Sequence, residues 1–383
     1  KHAAHFKPAI DVGKCRYLWF GSTLKLNAFT FISEETEWGW FQAHAYPFDA
    51  SASTFIVECR EETWLAAGLD KLDPAGSAAF CERLFAGHLQ DSTLMVKSGH
   101  PRGSAWLNFH RVFCEKWHYR NAVLIGDAAH TAHFSIGSGT KLAMEDAIAL
   151  SQAINACGER DITEALEAYQ VERSQEVLRL QSAAHNRMEW FENVARYAHL
   201  APEQFAYSLL TSSQRISHEN LRLRDTDYVN SIETWLAAQS GIEKQPGQPL
   251  PPMFTPFHIG GLTLKNRVVV SPMAMYSCAD GMPDNFHLVH LGSRALGGAG
   301  LVMTEMTAIS AEARITPGCA GLWNLPQMTA WQRIVDFVHQ FSAAKIGLQI
   351  GHAGPKGSTQ LGWEANDEPL VQGNWPLIAA SAV

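Results

Sequence analysis

Asn121–Ala147 reads NAVLIGDAAHTAHFSIGSGTKLAMEDA. Ala122 to Ile125 is a short, uninterrupted apolar run, the pattern of a strand buried on both faces of a parallel sheet. It stops at Gly126-Asp127. Ten residues later come Gly137-Ser138-Gly139, then Thr140 and a long apolar-periodic segment that predicts a helix. Glycines let backbone approach a ligand, and a helix N-terminus offers unpaired N–H groups to a polar or anionic part of it. A carboxylate at the strand tip, Asp127, is placed to accept hydrogen bonds from sugar or ribityl hydroxyls. The plainer alternative is an ordinary strand–loop–helix connection with a surface aspartate, and a lone GxG would favour it.

The order Gly-Asp-Ala-Ala-His, then Gly137, Gly139 and Asp146-Ala147, is more specific. It resembles the second FAD motif of the class A aromatic flavoprotein monooxygenases. The resemblance implies that Gly126, Asp127 and Ala128 hold the riboflavin part of FAD. It also implies that Gly137, Gly139 and Thr140 open a helix pointing at the isoalloxazine. Two positions depart from the usual pattern and bear on the geometry beside the flavin: Phe134, where proline is common, and Lys141, where asparagine is common.

The chain has 383 residues, enough for two domains, and is 46% hydrophobic with a net charge of -8. With no basic run, that charge argues against nucleic acid and against an anionic membrane surface. No apolar stretch approaches the roughly 20 residues of a spanning helix, and the first residues have no signal-peptide core. Seven scattered cysteines without a CxxC fit reduced thiols in a cytoplasm.

Tyr17 to Arg60 reads as β-rich: Leu24, Leu26 and Ala28 alternate with polar residues, and Phe29–Ile32 and Thr54–Val57 are strand-like. Between them Trp38, Trp40, Phe41, Tyr46 and Phe48 crowd together, either as core or as wall of an aromatic pocket. Glu61–Leu69, Gly76–Leu89, Thr140–Ala156 and Ile162–Phe191 have helical spacing. Gln245-Pro-Gly-Gln-Pro-Leu-Pro-Pro252 cannot sustain a helix or a central strand and reads as a linker. The expected layout is therefore a partial FAD-dependent monooxygenase domain at 1–200, a helical connection at 201–244, the linker at 245–252 and a second domain at 253–383.

In that second domain a hairpin turning at Gly260-Gly261 precedes alternating strands (Val268–Val270, Leu301–Met306, Ile346–Ile350) and helices (His287–Leu296, Thr329–Ala344). This is the rhythm of parallel βαβ units, either in a β/α barrel or in a doubly wound sheet. SPMAMYS, DGMP, HLVHLGSRALGGAGLVMTE, RITPGCAGLW and QIGHAGPKGS keep the order and spacing of old yellow enzyme-like FMN reductases, including 2,4-dienoyl-CoA reductases, and resemble their first part. The resemblance implies that Ser271, Pro272, Met273 and Ala274 touch the FMN ring, with Met306 beside it and Gln349 on its pyrimidine edge. Tyr276 then faces the substrate as proton donor or positioning group. His352, at a strand end, is a substrate contact or an imidazole satisfying loop backbone groups. Ala274 and Pro355 depart from residues common in relatives.

The fold expected is thus α/β and α+β in two domains: the C-terminal part of a class A monooxygenase fold, then the first three βα units of a TIM barrel. No GxGxxG precedes the FAD motif and only three of eight barrel units are present, so the chain is expected to be an internal, inactive piece of a longer enzyme. His130-x-x-His133 and His287-x-x-His290 have zinc-like spacing, but no third ligand can be nominated and no metal is expected. No GxSxG elbow supports a hydrolase. A class A monooxygenase joined to an old yellow enzyme-like reductase resembles the bifunctional aryl-CoA flavoproteins, among them 2-aminobenzoyl-CoA monooxygenase/reductases and salicylyl-CoA 5-hydroxylases. That family implies FAD, FMN, NADH or NADPH, O2 and an aromatic acyl-CoA, and a cytoplasmic, possibly homo-oligomeric enzyme. The alternatives are an ene-reductase carrying a degenerate monooxygenase scaffold, and a non-catalytic fragment.

Overall fold

The computed structural model describes residues 3–96, 105–158 and 161–381. It divides into two compact units, Lys1–Arg224 and Asp225–Val383.

The first unit is built on an antiparallel sheet of β1 (Pro8–Ser22), β2 (Thr30–Thr36), β3 (Gly39–Pro47), β4 (Ser53–Arg60), β5 (Leu94–Met95) and β6 (Leu107–Cys114). The order is β2-β3-β4-β1, and the far edge of β1 is shared by β5 and β6, with a register irregularity between Val12 and Arg16. Side chains alternate across the pleat. Leu18, Phe20, Phe41, Ala43, Phe55 and Val57 face one way and pack on Ala78, Cys81, Phe85 and Leu89. The helix Pro74–Leu84 that supplies the first two of these starts on Asp73, whose carboxylate accepts the Gly76 N–H at 2.7 Å. The opposite face carries Tyr17, Trp19, His44, Tyr46, Ile56 and Glu58, cross-strand neighbours in the register Tyr17↔Glu58, Trp19↔Ile56 and His44↔Ile56. Two long helices, Gly139–Cys157 and Ile162–Glu192, share a core of Leu142, Ala149, Tyr169, Val177 and Leu180.

Two expectations for this unit are corrected. Ala122–Ile125 is not a strand buried on both faces of a parallel sheet. Only Ala122–Val123 is strand, paired antiparallel with His118–Tyr119, and Ile125 is 41% exposed. Among the described residues no parallel strand flanks it, so its apolar side chains pack sideways onto the helical core instead. Leu24–Ala28 is loop, because β1 already ends at Ser22, whose hydroxyl accepts the Leu24 N–H and turns the chain.

In the second unit Phe257–Ile259 and Leu262–Leu264 form the expected hairpin, with Gly260 at φ +54 in its turn. Leu301–Ala308 is the central parallel strand. Val269–Val270 and Ala320–Gly321 take one edge of it and Lys345–Gly351 the other. Strands at 269, 301 and 345 thus lie side by side in chain order, as in successive units of a barrel. Helices Asn285–Leu296 and Leu325–Phe341 cover them through Leu291, Ala295, Trp331, Ile334 and Val338. The Pro-rich segment after helix Thr226–Gln239 has no regular structure before Pro252, and the Leu250 N–H is anchored on the buried Glu233 carboxylate at 3.0 Å. Among the described residues no helix is long and apolar enough to cross a membrane.

Candidate active site

Gly126 sits at φ +54 in a short turn, and a Cβ there would lie 2.8 Å from the Ala143 Cβ. Only glycine allows the turn to press onto helix Gly139–Cys157 so closely. The Gly126 N–H donates to Asp146, two turns along that helix, at 2.9 Å. The same carboxylate, fully buried, binds His130 Nε2 at 2.7 Å and Arg173 Nε at 2.9 Å. Burial pushes Asp146 up, but those partners outweigh it and hold it below the usual carboxylate range. Asp146 therefore ties the turn, the helix and Ile162–Glu192 together, leaving Asp127 exposed at the turn's tip.

Asp127, Gly126, Gly137, Ser138, Gly139 and Thr140 line one side of a cavity of about 740 Å³. Gly137 has φ +62, and a Cβ at Gly137 or Gly139 would meet open space. The amides of the first helical turn, which have no intrahelical acceptor, open towards it. Ala128 belongs to the same turn but is not in the cavity wall; its carbonyl accepts the Cys114 thiol at 3.7 Å. The other side is the aromatic face of the sheet: Trp19, Phe29, Tyr46, Ile56 and Phe109, with Phe134 between the two. Of the aromatic cluster in the sequence, Tyr46 is pocket wall, Phe41 is core on the opposite face and Phe48 is 76% exposed.

Behind Ile56 and Phe134 lies a polar pair that the motifs do not reveal. His44 Nε2 and Glu58 Oε2 are 2.9 Å apart, and both side chains are buried. Burial pushes the Glu58 carboxyl up, yet the hydrogen bond it accepts from His44, with the other groups around it, outweighs burial and holds it below its ordinary value. His133, packed against Phe134 and bonded to the Ser135 hydroxyl at 2.8 Å, is lowered to about 4 by burial and stays neutral. The period-2 alternation HxY in β3 and IxE in β4 was the available signal, since it sets His44 and Glu58 on one face with Tyr46 and Ile56.

In the second unit Ser271, Pro272, Met273 and Ala274 follow the strand Val269–Val270 directly, and Met306 is the register partner of Gln349. Met273 is 51% exposed and the Gln349 side chain is also exposed at the carboxyl ends of the strands. Tyr276 holds φ +51, and the Cys278 N–H donates to Gly318 O at 3.0 Å. The loop is fixed by Glu305, which accepts the Met275 N–H at 3.0 Å and meets His287 Nε2 at 3.1 Å. Burial lowers His287, but Glu305 and Asp284 more than compensate and raise it above its ordinary value. The Cys278 thiol joins this cluster at 3.3 Å, so Cys278, His287 and Glu305 bring three possible ligand atoms within 4.8 Å of one another, where the sequence had offered no further ligand beside the His287 pair. Burial pushes Cys278 up, so it is a neutral thiol, and the cluster satisfies itself as a loop anchor. His352 Nδ1 accepts the Gly354 N–H at 2.9 Å, the backbone-satisfying role. The HxxH pairs are split between separate partners: His130 to Asp146, His133 to Ser135, and His287 to Asp284 and Glu305.

Comparison with known proteins places residues 58–184 in the FAD binding domain family and residues 252–373 in the NADH:flavin oxidoreductase / NADH oxidase family. Each match covers less than half of the chain, one to an FAD-binding family and one to an FMN-dependent oxidoreductase family, and together they mark a flavoprotein oxidoreductase. It is 37% identical to salicyloyl-CoA 5-hydroxylase of a Streptomyces species over 73% of this chain and 53% of that protein. It is 33% identical to protodeoxyviolaceinate monooxygenase of Chromobacterium violaceum over 54% of each chain. It is 47% identical to an NADPH dehydrogenase of Bacillus cytotoxicus over 27% of this chain and 30% of that protein. The chain therefore spans about half the length of these first two relatives.

Proposed function

We propose that this chain comes from a flavoenzyme that hydroxylates an aromatic acyl-CoA in the first unit and reduces a ring-derived C=C bond in the second. The carrying observation is the cavity in which a glycine-lined helix N-terminus faces an aromatic sheet wall. Gly126, Asp127, Gly137, Gly139 and Thr140 would hold the riboflavin end of FAD, with Ala128 shaping the turn behind them. The positive-φ turn, the open space at Gly137 and Gly139 and the exposed carboxylate suit that group. Ser271, Pro272, Met273, Ala274, Met306 and Gln349 would hold FMN at the exposed strand ends. FAD, when bound, supplies activated oxygen from O2, and FMN supplies reducing electrons drawn from NADH or NADPH.

The chain's own part is to orient the ring against Trp19, Tyr46 and Phe109 and to keep water from it. Tyr276 would support protonation of the reduced product, and burial raises its phenol, so it holds its proton at neutral pH. Salicyloyl-CoA 5-hydroxylase among the relatives supports the thioester class. The test is flavin content and O2 uptake of the purified protein with an aromatic acyl-CoA. Stoichiometric FAD and FMN with a hydroxylated thioester product is expected. Substrate-independent uptake with no such product would refute the hydroxylase and leave the reductase alone.

A further inference from the structure

The first unit buries a histidine with one ring nitrogen tied down and the other idle. His44 Nε2 meets the Glu58 carboxylate at 2.9 Å, while His44 Nδ1, also buried, has no hydrogen-bond partner among the described residues. Buried polar atoms are nearly always paired, so an orphan one calls for a role. The carboxylate decides the tautomer. Glu58, held ionised, accepts the proton on Nε2, which leaves a lone pair on Nδ1. A carboxylate-backed imidazole whose second nitrogen is vacant is the arrangement of a general base.

Its position links it to the cavity. His44 pairs across the sheet with Ile56, and Tyr46 follows two residues along the same face; both line the cavity. Phe134, also in the wall, meets the His44 ring edge to face with centroids 5.4 Å apart. The polar pair is thus one pleat, roughly 7 Å, deeper than Tyr46, and Phe134 is the partition. Other charged or titratable groups near it include the neutral His133 beside Phe134, Cys15 and Tyr17 against Glu58, Glu192, whose charge also acts on Glu58, and Arg187, stacked on Phe31 and Phe191.

We propose that His44, backed by Glu58, is the base at the closed end of this pocket, reached when Phe134 turns aside, and that it takes the proton of a ring hydroxyl. This rests on the pocket being the ring-binding site. The proton leaves the substrate oxygen for Nδ1, giving a phenolate and an imidazolium held between two anions. No electrons are exchanged in the step.

The test compares para-nitrophenol with its methyl ether, para-nitroanisole, titrated into the full chain by calorimetry and absorbance. The ether fills the same apolar volume but has no proton to give, so its binding reports the pocket alone. The phenol should bind about tenfold more tightly and as the coloured phenolate. In His44→Gln and Glu58→Gln that preference should vanish while the ether still binds. Equal affinity of the wild-type chain for both probes would overturn the role of His44 without touching the pocket. Failure of either probe to bind the wild-type chain would overturn the pocket reading, and this one with it. The wild-type comparison stands even if a variant folds poorly.

Discussion

Replacing Asp146 by alanine tests how the glycine turn is held. The carboxylate accepts from the Gly126 amide, His130 and Arg173 and is inaccessible to solvent, and Arg173 is 8% exposed. Removing one member of a buried ion pair costs about 3–5 kcal/mol, because the partner charge stays behind. Here Arg173 keeps a second carboxylate, Glu145, at 3.0 Å, so the lower end, about 3 kcal/mol, is expected. Asp146→Asn, which keeps an acceptor of the same shape, should lose about half as much.

Denaturant unfolding followed by circular dichroism gives the free energy, and hydrogen exchange resolves the Gly126 amide, which should lose protection in Asp146→Ala. The pH dependence has a definite sign. Asp146 titrates below its unfolded value of about 3.9. Its contribution is therefore present above that pH and disappears as pH falls through the folded value. The gap between wild type and variant should close in acid. A variant within about 0.5 kcal/mol of wild type at neutral pH, with the Gly126 amide still protected, would refute the assignment of Asp146 as anchor.

Gly126→Ala should cost about 2–4 kcal/mol, from a left-handed backbone with a side chain plus the 2.8 Å approach to Ala143; a thermal melt reads it. Asp127→Ala, at an exposed site, should leave stability within about 0.5 kcal/mol of wild type. If it holds ribityl hydroxyls, riboflavin affinity measured by fluorescence should fall about tenfold. Glu305→Ala should free the Met275 amide to exchange and destabilise the second unit by about 3 kcal/mol. Because His287 is raised in the fold, the stability from its pairing is full below its unfolded value of about 6.5 and fades as pH rises through the folded one. The deficit of Glu305→Ala should shrink as pH rises through the folded value.

The second unit was the more legible half. Its hairpin and its alternation of strands and helices follow from period and turn chemistry, because helices Asn285–Leu296 and Leu325–Phe341 pack on the strands that precede them. The first unit was legible in the apolar runs Phe29–Ile32 and Thr54–Val57, which fall on β2 and β4, and not in the alternation at Leu24–Ala28, which is loop. It misled at Ala122–Ile125, where an apolar run shaped for a sheet centre has no parallel neighbours to sit between. Glycine-turn residues could be read because backbone geometry demands particular residue types. Asp146, Glu305 and the His44–Glu58 pair could not be assigned roles, since each works through partners 14 or more residues away, and spacing carries no record of which polar residues meet.

The central position of Leu301–Ala308 has a kinetic side. The strands at 269, 320 and 345 pair with it and not with one another, so the sheet of the second unit can assemble only after this segment is in place. Joining it to Lys345–Gly351 closes a loop spanning a whole helix, an entropic cost met before any pairing compensates. Trimming Val302, wholly buried at the junction of two pairings, should slow refolding nearly as much as it lowers stability. Trimming the two-residue strand Val269–Val270 should chiefly hasten unfolding.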